Sequence, residues 1–199
     1  MLVLASRSPV RLAMLEAVGL RVEPEPSSID ERAVEAALGD ELGAIDLAEM
    51  LAETKAVDVS PRRAGALVIG CDQTLELDGT ALHKVDDMEG ARRRLLLLSG
   101  RTHRLHSAIA IARDGRTLWR HSETADMTMH ALTPAEVGRT LALSGPAVLG
   151  SVGCYHLEGP GLALFEKVEG DWWTILGLPM LALLEELRRM DAFEANLRA

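Results

Sequence analysis

Short apolar runs alternate with segments whose apolar residues recur every three or four positions, and this alternation predicts a mixed α/β protein. The run Leu2–Ala5 has the length of a buried strand. A helix is predicted to follow it, with Ser8 as N-cap and Pro9 in the first turn. A second helix is predicted from about Ala44 to Val59, and the apolar run Ala66–Gly70 predicts a central strand covered on both faces.

The second half of the chain predicts helices on either side of a β-hairpin, whose turn is Asp114–Gly115. The predicted elements are a helix over about 86–100, strands over 105–111 and 117–130, a helix from Thr133 to about Leu143, a strand over Leu162–Phe165 and a last helix from Pro179. The tail from Asp191 onward is expected to be frayed. Because no linker or repeat interrupts this order, residues 1–199 are predicted to form one domain.

Composition narrows the class of protein. With 199 residues, 48% of them hydrophobic, the chain is long enough for one core or two small lobes. The 30 acidic and 21 basic residues give a formal charge of −9, which argues against binding to nucleic-acid polymers through their backbone. No apolar run approaches the roughly 20 residues that span a bilayer, and the N-terminus lacks a signal-peptide pattern. We therefore expect a cytoplasmic protein without membrane contact.

Cysteine and histidine spacing gives no support for a zinc site. Cys71 and Cys154 belong to no zinc-like motif, and both are expected to be buried thiols. His103 and His106 lie three positions apart on a predicted strand, so their side chains are expected on opposite faces. Both histidines are therefore expected to be structural.

The turn after the first strand has the features of an anion site. Ser6 and Ser8 supply hydroxyl groups, and the N–H groups of a helix N-terminus lie beside Arg7 and Arg11. Because the helix dipole disfavours cations at this end, a bound anion would explain the two arginines. The alternative is that Ser8 only caps the helix and the arginines reach solvent or acids such as Glu16. The sequence contains no P-loop and no dinucleotide-binding glycine motif.

Asp72 and Lys55 are charges in predicted apolar surroundings. Asp72 is predicted just beyond the carboxyl end of the most apolar strand, where open α/β sheets place their ligands. It could hold a divalent cation or take a proton from an attacking water, or it could only cap a turn. Lys55 falls on the apolar face of its helix, so it either meets an anion or extends along the surface to solvent.

Loop and surface residues add weaker candidates. Asp30 and Glu31 are adjacent before a helix, where they could bind a divalent cation or only complement the helix dipole. Lys84 follows a predicted turn and, taken alone, is expected to be solvated. The run Arg92–Arg94 is also expected to be solvated, because successive helical side chains point about 100° apart. The pair Trp172–Trp173 could stack a base but is more typical of packing.

Seven segments, taken in order, resemble the Maf family of nucleoside triphosphate pyrophosphatases over most of the chain. The segments are Leu4–Arg11, Ser28–Glu31, Glu53–Ala56, Ile69–Gln73, Leu98–His103, Gly153–Gly159 and Gly177–Pro179. The resemblance implies an elongated, mixed-sheet α/β fold of the Maf/ITPase-like type, with the nucleotide cleft between two lobes. It also implies hydrolysis of a nucleoside triphosphate between its α and β phosphates, a divalent cation (Mg²⁺ or Mn²⁺) as cofactor, and a homodimer.

The resemblance also assigns roles to the candidate residues. Asp72 matches the catalytic acid, and Lys55 and Lys84 match phosphate-binding lysines that act with it. Asp72 and Glu31 are the implied metal ligands. The implied substrate-binding residues are Ser6, Ser8, Arg11, Glu31, Gln73 and Glu158. This set suits a triphosphate, whose hydrolysis requires cations near the leaving pyrophosphate and an acid that orients metal and water.

The sequence departs from the family pattern at several positions. Val10 stands where many members have a second arginine, and Val85 replaces a proline after Lys84. Glu158 replaces the glutamine of members that act on dTTP and UTP, and with Gln73 it resembles the subgroup that prefers 7-methyl-GTP. Three positions do not match that subgroup: Ser151, His156 and Leu157. Hydrolysis of dTTP or UTP is therefore an alternative specificity, and a slow or non-catalytic nucleotide-binding regulator of septum formation is an alternative function.

Overall fold

The structure, a computed structural model, describes residues 1–38 and 42–198 and contains a seven-stranded mixed sheet with helices packed against it. The strands are β1 (Leu2–Leu4), β2 (Val22–Pro24), β3 (Leu67–Leu77), β4 (Thr80–Leu82), β5 (Thr102–Arg113), β6 (Arg116–Met129) and β7 (Phe165–Glu169). The helices are α1 (Pro9–Ala17), α2 (Glu31–Leu38), α3 (Ala44–Val59), α4 (Met88–Leu98), α5 (Pro134–Ser144), α6 (Trp172–Ile175) and α7 (Met180–Arg189).

The sheet has a gap on one side of its central strand. Its order is β2-β1-β3-β5-β6-β7, with β1 parallel to β2 and β3 and the remaining pairs antiparallel. On the other side of β3 from β5, β1 pairs with Leu67–Ile69 and β4 pairs with Leu75–Leu77. The intervening residues 70–74 therefore face an opening in the sheet, and Asp72 lies in the middle of it.

Helix α3 packs closely on the sheet because the contact is built from small residues. Alanines of α3 and alanines of β5 form a separate buried cluster: Ala48, Ala52, Ala56, Ala108, Ala110 and Ala112. Beneath the helix, Gly70 of β3 has no space for a side chain, since an added Cβ would lie 2.1 Å from the Ala52 carbonyl oxygen. This close packing brings the α3 side chains to the gap beside β3.

Strand β3 passes from one hydrophobic cluster into another. The first cluster combines β1, α1, α7 and the start of β3, which contributes Ile69 and Cys71. The second combines α4, α5, β6 and the end of β3, which contributes Leu75 and Leu77. Asp72 therefore lies at the boundary between the two clusters, where neither closes over the strand.

Most of the predicted elements are confirmed. The mixed α/β fold is present, α3 spans Ala44–Val59 as predicted, and the hairpin turns at Asp114–Gly115 between β5 and β6. Helix α1 is capped by the Ser8 side chain, and α5 begins with a complete capping box between Thr133 and Glu136. No helix in the described part of the chain is long and apolar enough to cross a membrane.

Three local predictions differ from the structure. Asp72 does not follow the strand, because β3 pairs with β5 through Glu76 and continues to Leu77. The predicted strand at Leu162–Phe165 is wrong up to Leu164, since Pro160–Leu164 forms a 3-10 turn and β7 begins at Phe165. The tail predicted to be frayed lies against the body of the protein, where Leu197 bridges to Leu20 and Asn196 is buried.

Candidate active site

A cavity of about 560 Å³ opens at the gap beside β3. Its walls come from the turn before α1, the segment leading into α2, the middle of β3, the loop before α4, and the irregular segment after α5. The sequence-predicted residues that line it are Ser6, Ser8, Arg11, Glu31, Lys55, Asp72, Gln73, Lys84 and Glu158. The structure thus brings all of the candidate substrate-binding and catalytic positions to one cavity.

Lys55 connects two carboxylates at the wall of this cavity. Its Nζ donates to Oδ1 of Asp72 at 2.5 Å and lies 2.8 Å from Oε1 of Glu31. The Lys55 and Asp72 side chains are 6% and 9% exposed, whereas the Glu31 side chain is 42% exposed. The buried pair thus lies beside a much more exposed carboxylate, that of Glu31. One oxygen of each carboxylate is left for water, metal or substrate.

The electrostatics of the two acids differ. Burial raises the pKa of Asp72, and the opposing attraction of Lys55 and Arg11 does not cancel this effect. Burial would also raise the pKa of Glu31, but Lys55, with help from Lys84 and Arg11, lowers it below its ordinary value. Glu31 is thus held as a carboxylate, while Asp72 has the higher proton affinity expected of a group that accepts a proton during a reaction.

Helix position explains why a lysine is buried here. Lys55 follows Leu51 by one helical turn on the face of α3 that packs against the sheet, among alanines that let the helix approach. Its long side chain reaches past them to Asp72 on β3. The apolar position of Lys55 is therefore explained by a buried ion pair, and the alternative of extension to solvent is wrong.

The turn before α1 forms a hydrogen-bonded frame. Ser8 Oγ accepts the Arg11 backbone N–H, and Ser6 Oγ accepts the Ser8 backbone N–H. The Arg11 guanidinium donates to the carbonyl oxygens of Gly177 at 2.7 Å and Cys71 at 3.0 Å. Arg11 thus joins α1, β3 and the turn before α7, and its contact with substrate stays a prediction. Arg7, its neighbour in the sequence, is exposed.

Three further candidates at the cavity differ in how firmly they are held: Gln73, Glu158 and Lys84. The Gln73 amide nitrogen contacts Ser107 Oγ and the carbonyl oxygens of Thr174 and Ile175, so its donors are directed into the protein. Its amide oxygen remains available as an acceptor at the cavity. Glu158 and Lys84 are exposed at the cavity wall. Val10 and Val85 are two positions at which the sequence departs from the family pattern. Val10 lines the cavity, and Val85 packs against the second hydrophobic cluster.

The donor set fits a metal that binds together with phosphate oxygens. Among the described residues, no group of three or more His, Cys, Asp or Glu side chains could hold a metal ion. Asp72 and Glu31 offer two carboxylates at one ammonium, and Mg²⁺ commonly uses one or two carboxylates plus substrate phosphates and water. The two carboxylates therefore suit a cation that arrives with its nucleotide rather than a permanent protein cage.

The side chains expected to be structural are structural. His103 contacts the Tyr155 hydroxyl at 2.8 Å, whereas His106 contacts Thr124 on the other face of β5, so the predicted opposite orientation is confirmed. Cys71 and Cys154 are buried free thiols, as predicted. Burial raises the pKa of the Cys71 thiol to about 11, which makes it a poor nucleophile.

Part of the cavity wall was not singled out by sequence reasoning. Tyr155 lines the cavity and is fixed by His103, and Ile175 and Leu176 supply an apolar wall. Val152 adds another apolar surface. These residues lie in short or irregular segments without a clear hydrophobic period, and only Tyr155 falls within a segment that carries the family resemblance, Gly153–Gly159.

Comparison with known proteins gives the family. The family model described as "Maf-like protein" matches residues 1–190. A protein of Mesorhizobium japonicum named 7-methyl-GTP pyrophosphatase is 57% identical over 194 residues, which cover 97% of this chain and 98% of the relative. A Brucella abortus protein of the same name is 55% identical over 190 residues, covering 94% and 95%, respectively.

Two further matches are less similar to the chain. A Caulobacter vibrioides protein named nucleoside triphosphate pyrophosphatase is 47% identical over 186 residues, which cover 93% of each chain. A solved HAM1 protein from Coxiella burnetii is 18% identical, with a TM-score of 0.42, and the match covers 64% of this chain and 72% of the HAM1 chain. The family model and the full-length relatives agree with the residues gathered around the cavity: the chain belongs to the Maf-like protein family.

Proposed function

We propose that the chain hydrolyses 7-methyl-GTP to 7-methyl-GMP and pyrophosphate. The observation that carries the reaction class is the Lys55 ammonium, which lies between Asp72 and Glu31 at the wall of a cavity that Lys84 also lines. The substrate is supported by the names of full-length relatives that are 57% and 55% identical. The same geometry disfavours a non-catalytic regulator, because Lys55, Asp72 and Glu31 are in contact at the cavity.

In the proposed reaction, water attacks the α-phosphorus and the bond to the β-phosphate oxygen breaks. Asp72 takes a proton from the attacking water, and its raised pKa suits this role. Lys55 and Lys84 stabilise the negative charge that develops on the departing pyrophosphate. Because Lys55 also contacts Asp72, the Lys55 side chain both orients the general base and faces the phosphates of the substrate.

Asp72 and Glu31 would hold the divalent cation, Mg²⁺ or Mn²⁺. When bound, such a cation neutralises phosphate charge and polarises the phosphoryl group. The low pKa of Glu31 keeps it ionised and available as a ligand at neutral pH. Equilibrium binding of Mn²⁺ with and without nucleotide would test whether the cation needs the phosphates for tight binding.

Base recognition is assigned to the cavity wall that contains Glu158. A 7-methylguanine base carries a positive charge when its N1 is protonated, and its N–H edge offers donors. An exposed carboxylate such as Glu158 can accept those hydrogen bonds and attract that charge. Gln73 adds an acceptor whose orientation is fixed by its bonded amide nitrogen. These features support 7-methyl-GTP over the alternative substrates dTTP and UTP.

The cellular setting follows from the reaction. We expect the enzyme in the cytoplasm, where nucleoside triphosphates are found, and we expect it to remove a modified nucleotide from the pool. The family resemblance also predicts a homodimer. Analytical ultracentrifugation of the full chain would test the dimer directly.

The deciding experiment is a nucleotide panel with Mg²⁺ or Mn²⁺ in which pyrophosphate and orthophosphate are measured separately. The panel contains 7-methyl-GTP, GTP, dTTP, UTP and CTP, and the Asp72→Asn variant is the control. We expect pyrophosphate release with the highest kcat/KM for 7-methyl-GTP. Preference for dTTP or UTP would overturn the substrate, whereas orthophosphate release or no release above the control would overturn the reaction.

A further inference from the structure

Arg94 of α4 joins two segments of the cavity wall that are far apart in sequence. Its Nη1 donates to the carbonyl oxygen of Val152 at 2.6 Å, and its Nη2 donates to the carbonyl oxygen of His83 at 2.7 Å. The first acceptor follows Ser151 in the segment that contains Glu158. The second directly precedes Lys84. One planar guanidinium therefore spans the Lys84 loop (residues 83–87) and the base-side segment (residues 150–158).

The environment of Arg94 differs from that of its neighbours. Arg93 is exposed and pairs with Glu89 on the same helix. Within residues 1–38 and 42–198, Arg94 has no carboxylate within ion-pair distance, and its half-buried guanidinium donates to two backbone carbonyls. Such an arrangement is costly for a cation unless both hydrogen bonds are made. The run Arg92–Arg94, predicted to be mostly solvated, is thus half-buried at Arg94.

The two segments meet through side chains, since Val85 packs against the second hydrophobic cluster, to which Val152 belongs. In the described part of the chain, no backbone hydrogen bond joins residues 83–87 to residues 150–158. The bonds of Ser151 and Cys154 are local turns within the base-side segment. The distance between Lys84 and the base-side wall thus depends on side chains, and Arg94 makes a hydrogen bond to the backbone of each segment.

We propose that Arg94 is a positioning residue that fixes the Lys84 loop against the base-side segment and thereby sets the width of the nucleotide cavity. Arg94 does not line the cavity itself, so it acts through the two main-chain segments. This inference rests on the proposed function for its kinetic consequence. Its structural consequence, the coupling of two loops, does not depend on which nucleotide is hydrolysed.

The kinetic test compares Arg94→Ala with Arg93→Ala, which removes the same side chain type one position away. We expect Arg94→Ala to raise KM for 7-methyl-GTP by about tenfold and to lower kcat by less than about threefold, because the loss concerns two hydrogen bonds that shape the binding site. Arg93→Ala is expected to leave both constants unchanged. A normal KM in Arg94→Ala, in a variant that unfolds at the same temperature as the wild type, would overturn the proposal.

A lysine at position 94 distinguishes the effect of the two hydrogen bonds from the effect of the positive charge. Arg94→Lys keeps the positive charge but lacks the planar fork that reaches two carbonyl groups at once. We therefore expect Arg94→Lys to resemble Arg94→Ala in KM. Full recovery by lysine would show that charge alone matters and would contradict the bridge.

Hydrogen exchange tests the coupling without turnover. In Arg94→Ala we expect amides in residues 82–86 and 150–154 to exchange about tenfold faster, with little change in the first cluster. Uniformly faster exchange over the whole chain would indicate only lost stability and would contradict a positioning role. If the two segments respond but no 7-methyl-GTP is hydrolysed by the wild type, the proposed substrate fails and the role of Arg94 stands.

Discussion

The central residues of the site balance two opposing energies. Removing a carboxylate and an ammonium from water is costly, and their contact at 2.5 Å offsets part of that cost while both partners are present. The raised pKa of Asp72 indicates that burial outweighs attraction even with Lys55 in place. Asp72 is therefore maintained at an energetic cost that a purely structural role does not explain.

Replacing Asp72 by asparagine tests its catalytic role. Asp72→Asn keeps the size of the side chain but removes the proton acceptor, so we expect kcat to fall by about a thousandfold or more. Nucleotide binding, measured by calorimetry, should change much less. Asp126→Asn, which alters a partly exposed carboxylate paired with Arg104, is the matched control and should remain active. Normal turnover in Asp72→Asn would contradict the assignment.

Replacing Lys55 by methionine tests the buried ion pair. Lys55→Met leaves Asp72 and Glu31 beside each other without the ammonium, so we expect a loss of about 3 kcal/mol in unfolding free energy at pH 7 and loss of activity. The loss should shrink at pH 5, because protonation of either carboxyl relieves the repulsion. Urea unfolding at both pH values measures this difference. An equal loss at the two pH values would contradict the electrostatic explanation.

Glu158 is the residue-level test of base preference. Glu158→Gln removes the negative charge while keeping an acceptor oxygen, so we expect the ratio of kcat/KM for 7-methyl-GTP over GTP to fall by about tenfold. The measurement is a competition assay with both nucleotides. Glu166→Gln, a change at an exposed position on β7, controls for the change in net charge. An unchanged ratio would remove Glu158 from the account of specificity.

At the scale of elements, the features that depend on local sequence signals were predicted well. The features that depend on long-range contacts were not. The periodicity and flanking residues of α3 gave its bounds, and the Thr133 capping box gave the start of α5. The length of β3 was underestimated because Asp72 and Gln73 interrupt its apolar run, while pairing with β5 extends it. No local pattern shows that Lys55 and Asp72 touch, because that contact depends on how closely α3 packs on the sheet.

Gly70 is the element-level test of that packing. In Gly70→Ala, the new Cβ would lie 2.1 Å from the Ala52 carbonyl oxygen and 2.7 Å from the Ala56 nitrogen, so α3 must move away from β3. We expect a loss of about 3 kcal/mol in unfolding free energy and reduced kcat, because Lys55 moves with the helix. Thermal unfolding and turnover measure the two effects.

The matched control for this substitution lies on α5. Gly138→Ala places a Cβ 3.3 Å from the flexible end of Arg92, and alanine favours the helix, so stability should be unchanged or slightly higher. A Gly70→Ala variant as stable and active as Gly138→Ala would show that α3 can shift without disturbing the site.

At the scale of the whole molecule, the site forms because two hydrophobic clusters meet without closing. β3 belongs to both clusters, and its middle residues face a gap that neither β1 nor β4 covers. The order of segments along the chain was enough to predict the family. It could not predict the gap, because strand register and the close packing of α3 are set by contacts between distant residues.

Burial of His103 in the second cluster predicts how the stability of the whole protein depends on pH. Burial, with a contribution from Arg94, lowers the pKa of His103 from 6.5 to about 4, and its Nδ1 has no hydrogen-bond partner among the described residues. Between these values the unfolded chain binds a proton that the folded protein does not. The unfolding free energy therefore decreases as pH falls through this window, by about 3 kcal/mol from this group.

The His103→Gln variant isolates that contribution, because glutamine can still bond the Tyr155 hydroxyl but does not titrate. We expect its unfolding free energy to fall less than that of the wild type between pH 6.5 and pH 4, with a difference in slope that accounts for about 3 kcal/mol. His130→Gln, at an exposed position after β6, should keep the wild-type slope. Parallel curves for the wild type and His103→Gln would show that other groups, such as Glu31, dominate acid unfolding.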